Sequence, residues 1–137
     1  MTNAIPTHAV KAVITNEQNE ILFLQRNAAG RADMKSSWDL PGGLVEDGED
    51  DEAALVREIE EETKRKATIG REVGRWTFFR PFDGATVEVT NYAVELDTSD
   101  INEIILSPEH VAAKFVARSL LPTLEVKDNS IFEALGQ

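Results

Sequence analysis

Cysteine is absent from the 137 residues. That excludes a disulfide scaffold, a thiolate zinc site and a cysteine nucleophile. Histidine is scarce, with only His8 and His110, which disfavours a metal site built from several imidazoles. No apolar run reaches the ~18 residues of a membrane-spanning helix. Met1 to Pro6 has no basic stretch followed by an apolar one, so no secretory signal is visible. A soluble, cytoplasmic protein with no membrane partner is expected. Internal repeats and Pro- or Ser-rich linkers are also missing, and the length suits one domain, so a single domain over residues 1–137 is expected. Hydrophobic residues at 42% and charged residues at 28% match ordinary globular usage, which argues against a disordered chain.

Positive charge is in short supply. Fourteen Lys and Arg face 25 Asp and Glu, a net charge of −11. A body this acidic repels polyanions at long range, so duplex nucleic acid is a disfavoured partner. The same excess suits oxygen-ligated hard cations such as Mg²⁺ or Mn²⁺, although it also serves plain solubility. Placement decides between these readings, and the acid is clustered. From Glu46 to Glu62 the chain reads EDGEDDEAALVREIEEE, with one Arg among the carboxylates.

The pattern predicts strands over His8 to Thr15 and Ile21 to Gln25, joined by a polar turn at Asn16 to Glu20. Asn27 to Ser37, with Gly30, Asp33 and two Ser, reads as a loop. Trp38 to Gly43 is a short extended piece ending in a Pro-Gly-Gly turn. From about Asp50 to Lys64 there is no Gly or Pro and good helix formers dominate, which predicts a helix with Asp50 as N-cap. Trp76 to Phe79 and Thr86 to Leu96 read as strands joined through Pro81, Asp83 and Gly84. Val111 to Ala117 reads as a last strand, and Ser119 to Leu124 and Asn129 to Leu135 as short helical pieces. This order predicts a mixed α/β domain with helices packed on a sheet.

Residues three and four apart share a helix face, so Glu58, Glu61 and Glu62 crowd one stripe while Leu55 and Ile59 lie on another that can face the core. Like charges at this spacing destabilise a helix by a few tenths of a kcal/mol per pair. Glu-rich exposed helices are nonetheless common, so spacing alone leaves a solvated face and a metal site equally open. The preceding loop adds to the pattern. Gly42 and Gly43 can bring backbone close to a ligand. Glu49 lies just before the helix and Arg57 within it, where an Arg among carboxylates can fix their orientation through charge-assisted pairs. Together these residues describe a hard-cation site with built-in support.

The segment resembles the Nudix box, G-x5-E-x7-R-E-U-x-E-E-x-G-U, where U is a bulky aliphatic. Gly43, Glu49, Arg57, Glu58, Ile59, Glu61 and Glu62 match, seven of the nine fixed positions and all the charged ones. Trp38 to Gly42 is similar to the lead-in usual before that box. Two positions depart from it: Lys64 replaces the closing Gly and Arg65 the aliphatic. A left-handed residue ordinarily ends this helix, and that conformation costs a Lys roughly 1 kcal/mol. Either Lys64 carries that strain or the helix continues through Arg65 and Lys66, an extension that cations near a helix C-terminus favour.

The resemblance implies an α/β fold, the Nudix-type α/β/α sandwich with a mixed β-sheet. It implies hydrolysis of a phosphoanhydride bond in a nucleoside diphosphate derivative, with Mg²⁺ as cofactor and Mn²⁺ as the alternative. An anionic protein acting on an anionic pyrophosphate needs divalent ions between them, to neutralise charge, polarise phosphorus and acidify the attacking water. By the resemblance, Glu61 and Glu62 are metal ligands, Glu58 binds directly or through water, and the Gly42 carbonyl adds a ligand. Arg57 and Glu49 orient the cluster, and Gly43 lies against the substrate. A carboxylate must take the proton of the water. Glu58 and Glu61 are candidates, as is Glu109, a loop acid of the kind some family members use and equally readable as an ordinary loop Glu.

Other signals are weaker. Arg26 could meet substrate phosphates or be a surface Arg at a strand end. Phe78, Phe79 and Phe82 could stack on a base, but aromatics on a strand are more often core. Trp38 reads as packing, His110 as a hydrogen-bonded structural histidine, and Pro81 as a turn former with Asp83 and Gly84. The small size favours a nucleoside triphosphate, normal or oxidised, cleaved to monophosphate and pyrophosphate. ADP-ribose or a sugar nucleotide is the alternative, followed by diadenosine polyphosphates. A non-catalytic nucleotide-binding module would be expected to have lost box carboxylates, which are all present here. A Ca²⁺-binding reading of Asp47 to Asp51 fails because the alternating ligands and closing Glu of an EF-hand loop are missing. Nudix relatives are often dimers, which makes a homodimer the implied alternative to a monomer.

Overall fold

The computed structural model describes residues 5–28, 37–126 and 129–135. Gly30 and Asp33 of the expected loop lie outside these residues. The strands are β1 (His8–Ile14), β2 (Ile21–Arg26), β3 (Trp38–Asp39), β4 (Gly42–Leu44), β5 (Ala67–Arg80), β6 (Ala85–Leu96) and β7 (His110–Val116). The helices are α1 (Asp51–Thr63) and α2 (Ser130–Ala134), with 3₁₀ turns at Ile101–Glu103 and Arg118–Thr123. A mixed four-stranded sheet runs β4-β1-β6-β5, in which β1 pairs parallel with β6 and the other pairs are antiparallel. A second, antiparallel sheet runs β3-β2-β7.

Period-2 alternation sorts the two central strands onto two cores. Val10, Ala12 and Ile14 of β1 and Leu22 and Leu24 of β2 pack against Ala54, Leu55 and Ile59 of α1. Val13 of β1 and Ile21 and Phe23 of β2 face the other way, onto Leu121, Leu124, Ile131 and Leu135. The strands are therefore sandwiched between α1 on one side and α2 with its 3₁₀ turn on the other. No helix among the described residues is long and apolar enough to cross a membrane.

Helix α1 begins at its expected cap: the Asp50 side chain accepts from the Ala53 N–H at 2.8 Å. Its first turn is pinned to the sheet through Asp51, which accepts from the Tyr92 hydroxyl at 2.6 Å and lies 3.1 Å from His8 Nε2. Burial and the Asp51 carboxylate push the Tyr92 phenol up to about 12. The other end decides between the two expectations for Lys64. The helix stops at Thr63, and Lys64 itself takes the left-handed conformation, φ 58° and ψ 26°. Its N–H bonds the Glu60 carbonyl and its ammonium group the Glu61 carbonyl, so local hydrogen bonds help hold a residue that has the wrong shape for the turn.

The expected strand at Trp76 to Phe79 is the last part of a longer one. β5 starts at Ala67. Its register against β6 shifts twice, between Ile69 and Glu72 and between Glu72 and Gly74. A bulge interrupts alternation, and an edge strand tolerates Gly and charge. Residues 70–75, GREVGR, therefore carry no strand-like pattern although they are strand.

Candidate active site

The Pro-Gly-Gly turn delivers β4 to the edge of β1, opposite α1. Gly42 has φ 137°, and a Cβ there would lie 2.1 Å from the Val10 carbonyl oxygen, so only glycine fits. Its N–H donates to Glu62 Oε1 at 2.8 Å. At Gly43 a Cβ would fall 2.6 to 2.8 Å from the carboxylate atoms of Glu58. The two glycines thus let the loop backbone lie directly against two of the three stripe carboxylates.

Arg57 organises the rest. Its Nε and Nη2 clasp both oxygens of Glu49, at 2.7 and 2.9 Å, and Nη1 donates to Glu58 Oε1 at 2.9 Å. Nη2 also reaches the Leu44 carbonyl at 3.4 Å, and Nη1 lies 3.6 Å from Glu61 Oε1. The fork is bidentate, the strong geometry for an Arg–carboxylate pair. It holds the Glu49 carboxyl down at about 2, helped by the Glu46 N–H. The two carboxylates raise the Arg57 pKa in return.

The three stripe carboxylates differ in environment. Glu62 is 6% exposed, and burial pushes its carboxyl up to about 8, against the opposing pull of Lys11 and the Gly42 N–H. Glu58 is raised as well, again by burial, with Arg57 pulling the other way. The Glu61 side chain is 58% exposed.

All three line a cavity of about 900 Å³ with Arg57, Gly42 and Gly43. Arg26 and Glu109 line the same cavity. The fold therefore brings Arg26 and Glu109 to one place with the glycines, Arg57 and the three stripe carboxylates, with Glu49 behind Arg57. Glu109 is no isolated loop acid: its carboxylate, that of Glu62 and a ring nitrogen of His110 have ligand atoms within 4.8 Å of one another. His110 Nε2 is 3.9 Å from Glu62 Oε2, and its buried Nδ1 has no hydrogen-bond partner. The expectation of a hydrogen-bonded structural histidine is corrected here. Burial, with Lys11 and Arg26 nearby, lowers its pKa and so favours the neutral imidazole. In the sequence, only its place beside Glu109 points to this role.

Of the three phenylalanines, Phe78 packs against the Ala9, Val87 and Val89 cluster as expected, while the other two depart from expectation. Phe79 is 62% exposed and Phe82 72%, so neither is core. Phe78 and Phe79 line the cavity beside Trp76, and Arg80 lies over the Phe82 ring. Trp38 does pack against the second core, yet it also lines the cavity, with the Lys114 ammonium 4.3 Å from its ring centre. Pro81 and Asp83 form the expected turn, closed by the Arg80–Asp83 pair at 2.8 Å. Lys11 and Asp39 join the site only in the folded structure. They pair at 2.9 Å within the cavity wall; Asp39 falls in the lead-in to the box, whereas no motif marks Lys11.

Carboxylates of differing burial line the cavity beside an Arg clamp, a set of oxygen donors that suits a hard divalent cation. The unpartnered His110 Nδ1 and the Gly43 cradle for Glu58 fit such a group in the cavity. The NUDIX domain family model matches residues 6–135, and the chain belongs to that family. It is similar to 8-oxo-dGTP diphosphatase of Escherichia coli, 50% identical over 50 residues that cover 36% of this chain and 37% of that protein. The CTP pyrophosphohydrolase of Escherichia coli is 41% identical over 64 residues, 47% of this chain and 46% of the relative. The chain thus spans less than half the length of these curated relatives. Over nearly the whole fold it is similar to a crystal structure of a MutT NUDIX hydrolase from Burkholderia pseudomallei, with TM-score 0.76, 26% identity and 98% of both chains covered.

Proposed function

We propose that this protein is a divalent-metal-dependent pyrophosphohydrolase that cleaves a nucleoside triphosphate, normal or oxidised, to a monophosphate and pyrophosphate. The observation that carries the reading is the stripe Glu58, Glu61 and Glu62, facing a cavity and locked by the Arg57–Glu49 fork. The relatives named for 8-oxo-dGTP and CTP support the triphosphate class.

Glu58, Glu61 and Glu62, with the Gly42 carbonyl, are the residues that would hold Mg²⁺ or Mn²⁺. The ion supplies charge neutralisation and polarisation of phosphorus when bound. The chain supplies the rest. Arg57 orients Glu58 and keeps the stripe from splaying under its own repulsion. Arg26 meets phosphate on the opposite wall. Glu58, Glu61 or Glu109 takes the proton from water, and such a base typically contributes 10²–10⁴-fold. Glu109 reaches the cavity from a different loop, beside His110.

The test is a substrate panel with Mg²⁺ and with Mn²⁺, containing nucleoside triphosphates, 8-oxo-dGTP, ADP-ribose, sugar nucleotides and diadenosine polyphosphates. Turnover of triphosphates is the expected result, and nucleotide binding without any turnover would sink the reading. Glu61→Gln, at an exposed position, is expected to keep the fold and lower kcat by about 10²-fold or more. Activity near wild type would remove Glu61 from the site.

A further inference from the structure

We propose that Lys11 is a further substrate-contacting residue, whose ammonium group binds a phosphate oxygen of the nucleotide at the β1 wall of the cavity. The proposal rests on the hydrolase reading above and adds a residue to it.

Lys11 sits where the strand pattern calls for an apolar side chain. Its neighbours on the same face of β1, Ala9 and Val13, are buried, and β1 is an interior strand between β4 and β6. The Lys11 side chain is itself only 12% exposed. Placing an ammonium group there costs desolvation that a hydrophobic residue would avoid. One ion pair to Asp39 tying β3 to β1 is a poor return, since apolar residues pack such a junction as well or better.

The hydrogen bonds of Lys11 leave it capacity. Its ammonium carries three N–H groups. Two are used, by Asp39 Oδ2 at 2.9 Å and the Leu40 carbonyl at 3.3 Å. Among the described residues, the cavity is lined by three basic side chains, Lys11, Arg26 and Arg57. Arg57 is committed to Glu49, Glu58 and the Leu44 carbonyl. Lys11 and Arg26 remain, and Asp39 holds both, with Arg26 Nη2 at 3.9 Å. Two cations sharing one carboxylate leave a positive wall in a cavity whose other acids are Glu46, Glu58, Glu61, Glu62 and Glu109. A diphosphate group between the walls would be held from both sides.

The test uses the full chain with Mg²⁺ and titrates inorganic imidodiphosphate, which has no base and resists hydrolysis, with 8-oxo-deoxyguanosine as the phosphate-free control. Lys11→Met keeps the aliphatic stem. It is expected to weaken imidodiphosphate binding about tenfold or more, the weight of a charge-assisted hydrogen bond, and to leave nucleoside binding unchanged. Lys11→Arg restores binding to within about threefold, and Lys11→Met raises KM more than it lowers kcat. A Lys11→Met protein of normal thermal stability that binds imidodiphosphate within twofold of wild type overturns the proposal. So does equal weakening of both ligands, the mark of a structural tether. If Lys11→Met does not fold, Lys11→Gln carries the same readouts, because its amide keeps a donor for Asp39 without the charge. Wild type that turns over nothing in the panel removes the hydrolase reading and Lys11 with it. Wild type that turns over nucleotides while the variants leave KM unchanged removes only Lys11.

Discussion

The α1 wall of the cavity and the hairpin wall, formed where β5 runs into β6 and represented in the lining by Trp76, Phe78 and Phe79, are held in place by different means. On the α1 wall, Arg57 commits its guanidinium to Glu49, Glu58 and a backbone carbonyl, Glu62 takes a backbone N–H, and glycines remove the side chains that would push Glu58 and Val10 away. On the hairpin wall, Phe79 reaches the cavity mouth with most of its ring in solvent, and Phe82 lies beyond it under Arg80. The first arrangement suits chemistry, which loses rate when reacting groups move by an ångström. The second leaves aromatic surface in solvent, where no packed neighbour fixes its position.

The comparison can be broken most severely at Gly43. Gly43→Ala puts a methyl group into the Glu58 carboxylate. A displacement of this size is expected to lower kcat by about 10²-fold with little change in the melting temperature. Steady-state kinetics and a thermal melt check it together, and a kcat within threefold of wild type would show that the close packing of this wall is unnecessary.

A second effect concerns pH. Burial raises the Glu62 carboxyl to about 8 in the folded, metal-free protein, above its unfolded value near 4.5. Between those two values the folded state binds more protons than the unfolded one, so stability falls as pH rises from about 4.5 to 8. Glu62→Gln is expected to flatten that slope in denaturation curves measured without metal. An unchanged slope would show that Glu62 is not the group responsible. Glu49 acts in the opposite direction. Its carboxyl is lowered to about 2, so its contribution is present above about 4.5 and is lost as pH falls toward 2.

Lys64→Gly should stabilise the protein by about 1 kcal/mol, since glycine adopts the left-handed conformation without the Cβ clash. Chemical denaturation reads this directly, and turnover should not change. A destabilised variant would show that the Lys64 bond to the Glu61 carbonyl outweighs the strain. Phe79→Ala is expected to move stability by no more than about 0.5 kcal/mol, as for an exposed site, while raising KM for nucleotides. An unchanged KM would remove the hairpin wall from the binding surface.

Much of the α1 wall is legible in the sequence because its determinants are local. The helix, its Asp50 cap, the apolar stripe of Leu55 and Ile59 and the shared face of the three carboxylates follow from spacing alone. The hairpin wall is less legible. β5 breaks its own alternation at two bulges, so its first half shows no pattern, and the exposure of Phe79 depends on what lies across the cavity. His110 and Lys11 are marked by no motif, and the lead-in that contains Asp39 does not reveal its pairing, because each has its partners distant in the chain.

The chain of amino acids by itself determined the helix, the turn that feeds it and the clustering of acid along one face, since these arise between residues a few positions apart. Lys64 shows the limit even at short range, because two local outcomes were available and the packed structure took the strained one. Only tertiary structure decided which carboxylate is buried. Glu58, Glu61 and Glu62 are chemically identical and nearly adjacent, yet their exposure ranges from a buried Glu62 under the Gly42 turn to a half-solvated Glu61. That difference comes from the Gly42 turn and from His110, both distant from Glu62 in the chain, closing over one carboxylate and leaving its neighbour in solvent, and desolvation by them raises the Glu62 carboxyl.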